Sequence, residues 1–442
     1  MKFIYKAGLG FLSFGISLLL ASVFSSVSYR VGLLMCLSAG AVGMMGHKAL
    51  RSYAFTAWVL VCVGVALAYP QFLQQWGGFS LSLLIVPLVQ LIMFGMGTTL
   101  SIQDFSGILK APWPVFVGVI LQFGIMPMVG FFIAKMFGFD GELAAGIVLI
   151  GSVSGGVASN LMCFIAKANV ALSVTMTVIS TFAAPFLTPL LMKVFANQFI
   201  SIDTRAMMIG VLNIVVVPVI TGLFAHMVLY SSRTWFKRAW GLMAMAVISA
   251  AATIALWLAG SNGLGGLFLF RNSIMLGGVL ITMVAMAKLI ISVWLGRPNT
   301  WMNRVLPLVS MTGICMILAI LVAQTHDVLM TAGFMLVLAA VIHNTIGYTV
   351  GYWGGRTVGI LLGWLGYKLK ICKTPETLID EANCRTIAFE VGMQNGGMAT
   401  GLAMDVLKSH VAALPSNVFG TWMDISGSML ANWWKKKGVE RG

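Results

Sequence analysis

The sequence has 442 residues, 59% of them hydrophobic and only 9% charged. A chain that apolar would expose large aggregating patches in water, whereas a bilayer solvates them, so a soluble globular enzyme is excluded. The net charge of +15 would suit nucleic acid, but the Lys and Arg sit in short stretches between apolar runs, which is a membrane-topology pattern and no nucleic-acid footprint.

Apolar runs of about 17–25 residues, each long enough to cross the hydrocarbon core, recur from end to end. The ~10-residue alternation of an outer-membrane barrel is absent. The expected fold is therefore all-α and polytopic, with about 14 transmembrane segments. The first two lie at 7–25 and 31–47. The N-terminal run, flanked by Lys2 and Lys6, resembles a signal peptide, but a second apolar run follows at once, so a retained helical hairpin is expected. Next come 54–70, 80–100, 113–134, 142–166, 168–195 and 206–230, then a pair at 239–260 and 273–295. The last four are 303–324, 328–352, 385–407 and 416–434.

With the N-terminus inside and the helices alternating, 20 of the 27 Lys and Arg fall inside and 6 outside, with Lys288 left within a span. This predicts an inner-membrane protein with both termini cytoplasmic. The six cysteines are scattered without a C-x-x-C, and Cys372 and Cys384 fall in a loop placed in the cytoplasm, so reduced thiols are expected.

Two segments are interrupted midway by glycine and polar residues. The first reads Gly151-Ser-Val-Ser-Gly-Gly-Val-Ala-Ser-Asn160, the second Phe389-Glu-Val-Gly-Met-Gln-Asn-Gly-Gly-Met398. Unwound backbone survives in a membrane only where protein or a water-filled cavity satisfies it. The two breaks are five helices apart once the pair at 239–295 is set aside, which predicts inverted repeats with discontinuous helices crossing at the midplane. Half-helix N-termini there favour anions, and carbonyls and C-terminal ends favour cations.

Glu390 is the sharpest single residue, because a carboxylate within a span costs several kcal/mol unless it is paired or holds an ion. Beside Gln394 and Asn395 it is read as an ion ligand, the competing reading being a protonated Glu in a helix contact. Ser159 and Asn160 also fit helix caps. Ser173 and Thr177, spaced i, i+4, share a face but also fit bonds to their own backbone. Gln122, mid-span, fits either a ligand or a helix contact. Hydroxyls, carbonyls and a single carboxylate suit Na⁺, whereas Zn²⁺ would call for His and Cys, and the five histidines have no ligand spacing. No Walker A, G-x-S-x-G or H-E-x-x-H occurs, so neither an enzyme nor a cofactor is expected.

At these residues the sequence resembles the bile acid:sodium symporter family. The resemblance rests on Gly155-Gly-Val-Ala-Ser-Asn160, on Asn169-Val-Ala-Leu-Ser173 with Thr177, and on Glu390-Val-Gly-Met-Gln-Asn395. Phe94-Gly-Met-Gly97, His343-Asn344, Gly347-Tyr348, Trp422 and Gly427 add to it, and it covers about 54–230 and 303–434. It implies ten helices in two inverted five-helix repeats, divided into a panel and a core domain, with two sodium sites behind the crossing. One would comprise Ser159, Asn160, Ser173, Thr177 and Glu390. The other would comprise Gln122, Glu390, Val391, Met393 and Gln394, partly through carbonyls.

Val157, Asn160, Asn395 and Asp424 would face the substrate. Two of these depart from the family pattern: Val157 stands where Thr is usual and Asp424 where Asn is usual. The chain then divides into an N-terminal hairpin (1–50), the first repeat with the first helix of the second (51–230), an inserted pair (231–302), and the remainder of the second repeat with a basic tail (303–442). The expected function is import of a small or sterol-like organic anion with about two Na⁺ by alternating access. A cation/proton antiporter or a non-transporting membrane receptor for such a ligand are the competing readings.

Overall fold

Among the described residues of the computed structural model, seven helices are, by length and composition, fit to cross a bilayer. The structure describes residues 16, 29–46, 54–101, 112–231, 233–259, 265–298, 302–369 and 377–437. Apart from one residue, the first expected span, 7–25, lies outside these, as do the loop carrying Cys372 and the end of the basic tail.

In chain order the helices are α1 (Tyr29–Gly46), α2 (Ala54–Ala68), α3 (Leu81–Thr99), α4 (Pro112–Met136), α5 (Gly141–Ser152), α6 (Ala158–Ile165), α7 (Val170–Ala196) and α8 (Thr204–Tyr230). They continue with α9 (Ala239–Leu258), α10 (Phe268–Trp294), α11 (Met302–Gln324), α12 (His326–Lys368), α13 (Glu381–Gly392), α14 (Gly396–Asp405) and α15 (His410–Lys437). Among the described residues the one exception to helix and loop is a hairpin pairing Gln75–Trp76 with Phe79–Ser80. Its turn is Gly77-Gly78, both at positive φ. Each expected segment from 31 onward is helical, and the two interrupted ones are each split into two half-helices, α5/α6 and α13/α14.

The end of one helix lies far from the sequence reading. The helix expected to end at 352 runs on to Lys368. Its glycines do not stop it, because Gly347, Gly351, Gly355, Gly359 and Gly363 recur every fourth residue and form a buried stripe. A Cβ on Gly351 would lie 2.7 Å from Ala388 Cα, and one on Gly347 2.8 Å from Gly392 Cα. The stripe thus lets the backbones of α12 and α13 touch, the small-residue packing that membrane helices favour.

α2 packs on α11, α3 on α8 and α11, and α10 on α8 and α3, with α9 docked on α10. Gly97 and Gly222 approach each other across α3 and α8, where a Cβ on Gly222 would lie 2.8 Å from Gly97 Cα. Gln90 donates to Ser273 Oγ (2.9 Å) and to Asn213 O (3.2 Å), stitching the extra pair to α3 and α8. Lys288, the cation left within a span, donates to Val228 O (2.7 Å) and Leu229 O (3.0 Å). It therefore satisfies terminal carbonyls of α8, at the negative end of the helix dipole. The outer face of α9 exposes Trp240, Val247, Ile248 and Trp257, as a helix bathed in lipid does.

The other group packs α4 on α5 and α12, α12 on α13, and α15 on α5, α6 and α14. The groups meet where α14 touches α3 and α15 touches α11.

Candidate functional site

The two broken helices meet at their breaks. Gly155 and Gln394 form an antiparallel bridge. Gly156 N–H donates to Met393 O (2.8 Å), and Asn395 N–H to Ser154 O (2.9 Å). Each unwound stretch thereby supplies partners for the other, which is how irregular backbone is sustained inside a bilayer. Side chains take up more of it: Gln122 Nε2 donates to Val153 O (2.9 Å), Asn344 Nδ2 to Gly392 O (2.7 Å) and Thr188 Oγ1 to Ser152 O (2.7 Å).

Glu390, 3% exposed in the last turn of α13, sits behind this bridge. Its Oε1 accepts from Ser159 Oγ, from Ser173 Oγ at 2.5 Å and from Thr177 Oγ1 at 3.1 Å, and Oε2 lies 3.0 Å from Thr177 Oγ1. The same hydroxyls also face Gly156 O, Asn160 Oδ1 and Ser173 O, at 2.7, 2.7 and 3.0 Å. A hydroxyl has one proton to give. Three protons therefore face five acceptor oxygens, an excess of lone pairs in a buried place. Ser159 lies in the first turn of α6, whose dipole is positive there and favours the carboxylate.

Gln122 lies in a π-turn, Leu121–Ile125, within α4. Its Nε2 donates to Val153 O and to Gln394 Oε1, and Gln394 Nε2 donates to Val391 O (2.8 Å). Gln122 Oε1 is buried and has no hydrogen-bond partner among the described residues. An orphaned amide oxygen costs about 1–3 kcal/mol unless something fills its place. Here too the deficit is of hydrogen-bond donors. Among the described residues no three His, Cys, Asp or Glu side chains gather to hold a metal ion, so the donors at both places are oxygens with a single carboxylate.

In front of the bridge is a cavity of about 180 Å³ between the crossing and α2, α3 and α11. Val157, Asn395 and Asp424 line it, as do the first residues of α6 and α14. Asn160 is not in its wall; its amide oxygen faces Ser173 instead. Of the second set, Met393 contributes its carbonyl to Gly156 N–H, and Val391 its carbonyl to Gln394.

The sequence reading missed some members. Met423 Sδ accepts the Gln394 N–H (3.0 Å), Ser180 Oγ accepts from Gly155 N–H (3.4 Å), and Thr386 Oγ1 accepts from Asn169 N–H (3.0 Å). None had a local signal, since a lone Met, Ser or Thr in a span looks like ordinary helix. His343-Asn344 did have one, and Asn344 indeed grips the second break, with Ser426 Oγ donating to its Oδ1 (2.5 Å).

Comparison with known proteins decides the lineage. The chain is 32% identical over 383 residues to an uncharacterised sodium-dependent transporter of Bacillus subtilis, YocS, covering 87% of this chain and 91% of that protein. The family model described as the sodium bile acid symporter family matches residues 86–264. The chain belongs to the sodium bile acid symporter family. A probable chloroplastic sodium/metabolite cotransporter of Arabidopsis thaliana, BASS1, is 28% identical over 344 residues, covering 78% of this chain and 65% of that protein. The human ileal sodium/bile acid cotransporter is 26% identical over 342 residues, with 76% and 73% covered. The symporter family is one of sodium-coupled transporters and not of enzymes, and this member is a multi-pass membrane protein.

Proposed function

We propose that the protein is a sodium-coupled symporter that imports an organic anion with about two Na⁺. The observation that carries this reading is the donor-poor oxygen cluster around Glu390. A buried carboxylate facing hydroxyl, amide and carbonyl oxygens with too few protons is stabilised by a hard monovalent cation. In this reading the first Na⁺ is held by Ser159, Asn160, Ser173, Thr177 and Glu390, and the second by Gln122, Glu390, Val391, Met393 and Gln394. Both ions occupy the C-terminal side of α5 and α13, and the substrate meets the N-termini of α6 and α14 in front, so the coupling ions and an anion sit on opposite faces of one crossing.

Alternating access is then movement of a panel (α2, α3, α8, α11 and the α9–α10 pair) against the remaining core. The two halves read as inverted repeats. In support, α6 and α14 each follow a break and each lead to a Lys at positive φ, Lys167 and Lys408. α7 and α15 then begin with a side-chain cap, Asn169 Oδ1 accepting from Leu172 N–H and Ser409 Oγ from Ala412 N–H. In this arrangement 51–230 and 303–442 carry the repeats, 231–302 the inserted pair and 1–50 an added hairpin, with both termini cytoplasmic. Asp424 lines the cavity and is not among the partners of Glu390, so the paired acids of an antiporter are not assembled.

The test is sodium-specific stabilisation. Wild-type protein should melt at a higher temperature in NaCl than in KCl of equal ionic strength, and Glu390→Gln should lose that difference and sodium-driven uptake while still inserting. An unchanged sodium titration in the variant refutes the assignment.

A further inference from the structure

Among the described residues, the cavity in front of the crossing has one ionisable side chain in its wall, Asp424, and no Lys, Arg or His. The neutral polar groups around it are already engaged. Thr400 and Ser416 share a hydrogen bond (2.7 Å), Asn417 donates to Ala413 O (3.1 Å), and Thr421 donates to Asn417 O (2.9 Å). Asn395 Oδ1 accepts the Met398 N–H (3.0 Å) at the start of α14. The half-buried carboxylate of Asp424 has no hydrogen bond or ion pair to any described residue. It is the wall's one strong acceptor with nothing to accept.

In a low-dielectric cavity that carboxylate attracts a cationic group and repels an anionic one with little screening. Yet the N-termini of α6 and α14 open on the same cavity through Gly156–Ala158 and Asn395–Gly397, and these ends favour negative charge. The cavity is thus polar end to end, with the attraction for anions at the crossing and the attraction for cations on α15. Between them the wall is apolar, with Val157, Ile314 and Met93. The volume of about 180 Å³ is close to the ~150 Å³ that holds a benzene ring and below the ~300–1,000 Å³ of drug-sized sites.

We infer that the cargo is a compact zwitterion, a carboxylate at the crossing joined by a short apolar stem to an ammonium held by Asp424. The inference rests on the sodium-symport reading and changes its cargo: the transported carboxylate carries its own counter-charge, so the cargo is net neutral where a simple organic anion is not.

The test uses the full-length protein in detergent and in proteoliposomes, with three matched pairs: β-alanine and propionate, 4-aminobutyrate and butyrate, proline and cyclopentanecarboxylate. In NaCl, members bearing the amine should raise the melting temperature and compete for sodium-driven uptake, and their deaminated partners should not. Asp424→Asn should weaken the amine-bearing ligands at least about 30-fold, and Asp424→Glu should retain part of the preference, while stabilisation by sodium alone persists in both. Equal or stronger effects of the deaminated acids, or no effect of any amine-bearing member, overturn the zwitterion assignment and leave the sodium-symport reading standing. Loss of sodium stabilisation in the wild-type protein would instead count against that reading itself.

Discussion

Gly155 is the residue against which the Glu390 carboxylate rests. A Cβ on Gly155 would lie 2.7 Å from Glu390 Oε2, closer than any carbon stands to an unbonded oxygen. A side chain cannot be added at Gly155 without moving that carboxylate.

The first expectation follows from that contact. Gly155→Ala should push the carboxylate away from Thr177, because the bridge to Gln394 holds the backbone in place. Overpacking of this kind costs about 1–3 kcal/mol. The variant should fold with a lowered melting temperature and show a sodium affinity reduced at least about tenfold, read by titrating NaCl in a thermal-shift assay. A sodium titration unchanged from wild type would mean that the carboxylate is free to move and that the contact does not define the site.

Gln122 separates the two proposed ions. Its Oε1 is orphaned and its Nε2 is committed to Val153 and Gln394. Gln122→Leu should abolish the second sodium and spare the Glu390 cluster. Uptake should then change from a sigmoidal sodium dependence, with a Hill coefficient above one, to a hyperbolic one. A sigmoidal curve in the variant would place the second ion elsewhere.

The charge moved per cycle distinguishes cargo classes. Two Na⁺ with a monoanion carry one net positive charge inward, and two Na⁺ with a zwitterion carry two. The membrane potential contributes ~2.3 kcal/mol per charge for each 100 mV. In proteoliposomes with a valinomycin-set potassium potential, zwitterion accumulation should follow the steeper of these slopes. The shallower slope for a confirmed zwitterion would indicate one coupled sodium.

Lys288 supplies a test of the extra helix pair. Its ammonium donates to two terminal carbonyls of α8. Lys288→Met keeps the stem and removes the ammonium that donates to these two carbonyls, a loss of about 1–3 kcal/mol. The melting temperature should fall, while sodium affinity and cargo preference stay as in wild type. A shift in either would tie the pair to the transport site.

Much of the candidate site was legible in the sequence. Glu390, Gln394, Ser159 and Ser173 stood out because polar residues in an apolar span are expensive, and the glycine breaks announced unwound backbone. The end of α12 was not legible. Its glycines look like a stop in the sequence, and only the close approach of α13 turns them into a packing stripe. Asn160 illustrates the same limit: it adjoins Ser159 in sequence, yet its amide faces Ser173 and stands apart from the cavity wall. Met423 and Ser180 carried no signal, because their partners are distant in sequence and meet them only at the crossing.

The sequence by itself determined the membrane character, the helices, the two breaks and the oxygen-rich residues beside them, since hydropathy, helix length and the cost of a buried carboxylate are local properties read residue by residue. The tertiary structure alone decided which oxygens converge, that protons are too few for them, and that Asp424 lines a cavity whose described wall has no Lys, Arg or His. Those are facts of contact between segments more than 200 residues apart, such as Ser173 and Glu390, and no local pattern encodes a distance across a fold.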